Sequence, residues 1–329
     1  MKKTILAMAV PALLAAGSAS ASINLYDADG VKVDASGAAE VQYFQAIGEN
    51  QDGQWRLDDG DFAVNTEVAV SDDLAAVGHF AFKFEDSTTK NDELYVGFKG
   101  SNWGTITFGR QLLINDDMGI TKDYELASAN NGTLQTEGDQ VAKYVYDNGT
   151  FYAGFSTLQN SDGKEGDSAS EYKIYDGRLG YRVADIDMRV YYYYADNAAV
   201  VRKDKDGNAV DPYFSYNSKA DVENYNFEIE YKGIENVGLA ASYGVNSEDD
   251  GSKKTDTDYF SVAADYTHGK TTFAIGVDNQ DNDSGKDVTG YYANVTYALH
   301  SNAKVYAEVG DNDGDKQDWG YVAGMEVKF

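Results

Sequence analysis

WGYVAGMEVKF, residues 319–329, is the stretch whose reading decides the fold. Taken two by two, Trp319, Tyr321, Ala323, Met325, Val327 and Phe329 fall on one face of a strand, and Gly320, Gly324, Glu326 and Lys328 on the other. An apolar face edged by aromatic rings suits either the inner layer of a sandwich or the outer skin of a barrel. The alternation recurs upstream. Val237, Leu239, Ala241, Tyr243 and Val245 share one face, as do Tyr225, Phe227, Ile229 and Tyr231, each set interleaved with small or polar residues. Phe260 to Tyr266 and Tyr291 to Leu299 repeat it, with rings at the ends of the apolar face, where two membrane–water interfaces place them.

The connections separate the two readings. Tight links at 71–74, 100–103, 148–149, 184–187, 233–236, 268–269 and 299–302 alternate with longer, charged ones at 86–91, 111–139, 160–170, 197–221, 247–257, 280–287 and 311–317. One rim of tight turns and one of long loops is the mark of an up-and-down barrel. The spacing predicts sixteen strands between residues 31 and 329, all-β and antiparallel. No apolar run after residue 21 is long enough for a membrane-crossing helix. In lipid every backbone N–H and C=O must be paired within the protein, so strands cross a membrane only as a closed barrel. At about sixteen strands, side chains no longer fill the interior and an aqueous lumen follows. Inward positions carry Asn65, Glu67, Glu228, Glu230, Asn294, Thr296, Lys304 and Glu308, which require that water.

Composition agrees: 26 Tyr and 33 Gly suit strands and turns, and the absence of Cys removes disulfide and thiolate chemistry. Acids outnumber bases 55 to 27, a poor match for phosphate backbones, which excludes nucleic acid as a partner. Residues 1–21 pair Lys2 and Lys3 with an apolar run and Ala19-Ser20-Ala21, the layout of a secretory leader cleaved after Ala21. Its loss takes the formal net charge from −28 to −30. Residues 22–329 then form one barrel domain.

Three stretches carry a family resemblance: Phe329 closing an alternating strand, YDADGVKVD at 26–34, and GTITFGR at 104–110. Together they resemble the Gram-negative general porins of the outer membrane, with a vibrio-like flavour. The resemblance implies a passive channel for ions and small hydrophilic solutes, a homotrimer in lipid and lipopolysaccharide, and Phe329 as an assembly signal. It also implies that the third long link, about 111–139, folds into the lumen as a constriction loop rooted at Gly109, and that Arg110 is a basic group of the constriction wall.

The loop acids Asp116, Asp117, Asp123 and Glu125 are expected on one side of the pore. Alternation places Lys143, Arg178, Arg182 and Arg189 inward, with Arg56 beside them across a bulge at 58–60. Under the same resemblance Ala38 looks like the site of a wall lysine in enteric relatives and Asp61 like that of a wall arginine, so a cation preference is expected. The Asp-rich tips at 281–283 and 311–315 lack the distal Glu of a calcium loop, and His79, His268 and His300 sit apart from any nucleophile. No cofactor, metal site or catalysis is expected. The competing readings are a solute-specific channel, a barrel enzyme and an adhesin, distinguished by saturable conductance, by turnover and by an absence of conductance steps.

Overall fold

The computed structural model describes residues 22–85, 88–127, 134–159, 173–199, 219–283, 285 and 287–329. The expected leader lies outside these residues, as do the 160–170 link, most of 197–221 and the centre of the 111–139 loop.

The strands are β1 (Ser22–Ala28), β2 (Val31–Gln45), β3 (Gln54–Leu57), β4 (Asp61–Ser71), β5 (Leu74–Lys83), β6 (Lys90–Gly100), β7 (Gly104–Leu112), β8 (Glu137–Asp147), β9 (Phe151–Gln159), β10 (Lys173–Val183), β11 (Ile186–Ala199), β12 (Lys219–Ile234), β13 (Val237–Asp249), β14 (Lys254–His268), β15 (Thr271–Asn282), β16 (Val288–His300), β17 (Ala303–Asn312) and β18 (Gly320–Lys328). These eighteen strands occupy sixteen positions of a closed antiparallel barrel. On one edge of β2, residues 31–37 pair with β4 and residues 41–44 with β3, so β3 and β4 form one wall strand interrupted at 58–60. On its other edge, residues 31–36 pair with β1 and residues 38–45 with β18, so β18 and β1 together form another. β1 is an addition to the strands expected from 31 onward.

The seam is closed by the last residue. Phe329 N–H donates to Gly37 O and Gly37 N–H to Phe329 O, both at 2.9 Å. The Phe329 ring lies where a Cβ on Gly37 would meet it at 2.6 Å, so only glycine admits it there. Facing outward are rings and branched chains such as Leu239, Tyr243, Phe260, Phe273 and Ile275, all exposed on the barrel's outer skin. No water-filled side could leave them so; lipid can. Facing inward are Gln42, Ser156, Asp176, Asn226, Glu228 and Glu308.

Candidate functional site: the lumen and its loop

β7 and β8 pair up to Leu112 and Glu137, which confines the loop to residues 113–136, a little shorter than the sequence indicates. Gly109 at its root has φ +136°, and a Cβ there would lie 2.3 Å from Leu94 O. The backbone needs glycine at this bend. Beyond it the chain turns into the lumen, makes one 3-10 turn at Ile114–Asp117 and runs along the wall towards β2. Its two ends bring Leu113 and Leu134 down onto Val141, Leu158, Ile174, Tyr193 and Val222. Those wall residues occupy inward positions where polar groups would be expected. Their apolar character marks the footprint of the loop, a signal present in the sequence and unread there.

Three buried wall carboxylates hold the loop backbone. Asp176 on β10 accepts Asn115 N–H at 2.6 Å, and Ser156, itself bonded to Asp176, accepts Ile114 N–H at 2.9 Å. Glu228 on β12 accepts Gly119 N–H at 2.6 Å. Glu308 on β17 accepts Tyr124 N–H at 2.6 Å, and Glu125 and Leu126 N–H at 2.9 Å each. Beyond its single 3-10 turn the described part of the loop leaves its N–H groups without backbone partners, and negatively charged acceptors satisfy them best. Side chains add to this. Tyr124 stacks on Tyr306 with ring centroids 3.7 Å apart, Lys304 lies 4.9 Å over the Tyr124 ring, and Leu126 fills the space beside Gly310 and Gly320.

The expected site residues divide into three groups. The first clasps the loop: Arg178 binds Asp117 at 2.5 Å, and Arg56 binds Glu125 at 2.6 Å and Asp58 at 3.1 Å while lying 3.8 Å over the Phe44 ring. Arg189 holds Glu228 and Glu230 and donates to Gly119 O at 3.2 Å. These arginines stand on the loop's own side of the lumen, so they do not face it across the pore. The second group touches no loop acid: Arg182 stacks 4.0 Å over Tyr152 and binds Asp147 and Asp187 near the tight-turn rim, and Lys143 donates to Leu112 O at 3.0 Å where the loop begins.

Arg110 stands by itself. It pairs directly with Leu94, shares the outward face of Phe108, and binds Asp139 at 2.5 Å and Asn91 O at 2.9 Å. Thr105, Thr107 and Gln111 take the lumen face instead. The placement of Arg110 on the constriction wall is therefore corrected; alternation with Ile106 and Phe108 already sends it outward. Arg110→Gln is expected to leave ion selectivity unchanged, whereas Arg178→Gln, by releasing Asp117, should raise cation preference. Reversal potentials of the two variants in one salt gradient make the comparison.

Of the loop acids, Asp123 is half-buried, with one oxygen accepting Ala127 N–H at 3.1 Å. Asp116 keeps contact with solvent, yet desolvation within the lumen and the neighbouring Asp117 charge raise its pKa above the usual carboxylate value. On the side the loop leaves open lies a cavity of about 500 Å³, walled by β2 and β4 to β8. Its charged lining consists of Lys32, Lys99 and Lys143 with Asp34, Glu67 and Glu93, and His79 stands among them.

Comparison with known proteins agrees with this geometry. The family described as Gram-negative porin matches residues 6–317. The Porin-like protein H of Photobacterium profundum is 46% identical over 338 residues, covering 100% of both chains. The structure of a loop L8 deletion mutant of OmpT, an outer membrane protein of Vibrio cholerae, superposes with a TM-score of 0.75 at 24% identity, over 92% of this chain and 100% of that one. An in-vitro folded OmpT in its trimer form gives a TM-score of 0.72 at 24% identity, over 92% and 100%. A closed sixteen-position barrel with an outward apolar skin, a wet lumen and this family match leave one conclusion: the chain is an outer-membrane protein and belongs to the Gram-negative porin family.

Proposed function

We propose that this porin passes ions and small hydrophilic solutes by passive diffusion, with a preference for cations, and without a covalent step. The observation that carries the preference is a mismatch in pairing. Among the described residues the lumen arginines Arg56, Arg178, Arg182 and Arg189 are all matched to carboxylates, whereas the loop acids Asp116 and Asp123 make no ion pair. On the wall, Asp59, Asp61 and Glu85 crowd three carboxylates within 4.8 Å of one another. Uncompensated acids in a narrow aqueous passage attract cations and repel anions.

Two further readings accompany this one. A homotrimer seated in lipid and lipopolysaccharide is supported by the outward apolar skin and by the trimeric form of OmpT. Cleavage after Ala21 is supported by the seam: β1 continues the line of β18, with Ser22 opposite Ser36 and Phe329 bonded to Gly37.

Reversal potentials in a potassium chloride gradient test the preference. The combined Asp116→Asn and Asp123→Asn variant should lower the cation-to-anion permeability ratio about threefold, the scale of unit charges a few ångströms from the ion path at moderate salt. Anion preference in the unaltered protein would sink the reading.

A further inference from the structure

The chain has three histidines, and two of them, His268 and His300, end strands at the tight-turn rim. His79, at mid-strand in β5, lines the open cavity. Its ring is held on three sides. Nδ1 lies 2.7 Å from Asn65 Oδ1 on β4, Nε2 lies 3.1 Å from Glu93 Oε2 on β6, and the ring stacks on Tyr95 with centroids 4.8 Å apart. Glu93 is itself fixed, because its other oxygen accepts Leu112 N–H at 3.2 Å where the constriction loop begins.

This setting accommodates both protonation states without moving the ring. An imidazolium donates to Asn65 Oδ1 and faces the Glu93 carboxylate as an opposite charge. A neutral imidazole keeps its proton on Nε2 towards Glu93, and a half-turn of the Asn65 amide brings that group's NH₂ to Nδ1. Only charge changes between the two. The surrounding charges make that change visible. Lys32 and Asp34 of β2 pair at 2.7 Å, Glu67 of β4 pairs with Lys99 of β6 at 2.8 Å, and Glu93 of β6 is balanced by Lys143 of β8, while β7 contributes only the uncharged Thr105, Thr107 and Gln111. With three lysines and three carboxylates the lining is neutral when His79 is neutral. One added proton leaves it positive.

We propose that His79 is a selectivity-determining residue through which acidification weakens the channel's preference for cations while the pore stays open. The inference rests on the reading of the chain as a cation-preferring channel. The direction follows from the sign: a proton added at His79 repels cations from the open side of the lumen and draws anions in.

Purified wild-type protein, His79→Gln and His79→Lys are compared in a planar bilayer under a potassium chloride gradient at pH 8 and pH 5.5. The wild-type cation-to-anion ratio is expected to fall about threefold on acidification, the size of one unit charge beside the ion path after salt screening. His79→Gln should show a clearly smaller fall, the remainder coming from lumen carboxylates such as Asp116, whose raised pKa lets it lose charge on acidification, and His79→Lys should show the low ratio already at pH 8. If wild type and His79→Gln fall by the same factor, or if His79→Lys at pH 8 matches wild type at pH 8, the assignment to His79 is overturned. Absence of conductance steps in the wild type is a separate outcome that removes the channel reading itself.

Discussion

Glu308→Ala is expected to unseat the far half of the constriction loop. One carboxylate, 2% exposed, receives three consecutive backbone N–H groups of the loop, and Asn294 Nδ2 donates to it at 3.0 Å. Removing it orphans all three amides at once. Each hydrogen bond to a charged partner contributes about 1.5–3 kcal/mol, and lumen water recovers part of the loss, so a net weakening of roughly 3 kcal/mol is reasonable. The loop is fastened elsewhere by Asp176 and Glu228, so the barrel itself should remain folded. Single-channel recordings should then show larger and noisier open levels than the wild type, with the folded band on unheated gels unchanged. Steps of wild-type size and quietness would show that Glu308 does not hold the loop.

A second large effect is expected at the seam. Gly37→Leu places a side chain where the Phe329 ring already lies at 2.6 Å and where Asp61 O stands at 2.9 Å. The ring could turn aside, but the Asp61 carbonyl belongs to the backbone of β4 and can retreat only by loosening the β2–β4 pairing, in which Gly37 stands opposite Phe62. Overpacking of this kind costs about 3 kcal/mol, and here it falls on the contact that joins the end of the chain to β2. In a membrane the alternative to closure is an exposed sheet edge with unpaired backbone groups, which lipid does not tolerate. Refolding from urea into detergent, followed by the heat-dependent gel shift of the folded barrel, should therefore show little closed protein. Gly37→Ala should fall between the two. Efficient folding of the leucine variant would remove the seam from the account of closure.

Much of this molecule was legible before any coordinates. Period-two alternation is a property of the extended backbone, so Tyr321, Met325 and Phe329 or Tyr243 and Phe260 could be assigned to one face from spacing alone. The alternation of tight and long links then fixed an even number of strands. β1 was missed because Ser22–Ala28 is short and its bulge between Asn24 and Tyr26 breaks the alternation. Arg110 was misplaced for a different reason: a likeness in sequence was preferred to the parity of its own strand, in which Ile106 and Phe108 lead to an outward Arg110.

What the sequence by itself determined is the wall: strand faces, their number, and the point where a long loop must leave it. These follow from local geometry and from the requirement that backbone groups be paired in lipid. Only the tertiary structure decided the pairing inside the lumen. Glu308 meets Tyr124 to Leu126 and Arg178 meets Asp117, through a loop that runs along the inner wall with no repeating pattern. Such contacts join residues up to 184 positions apart, and no periodicity in the chain encodes which acid a given amide will find.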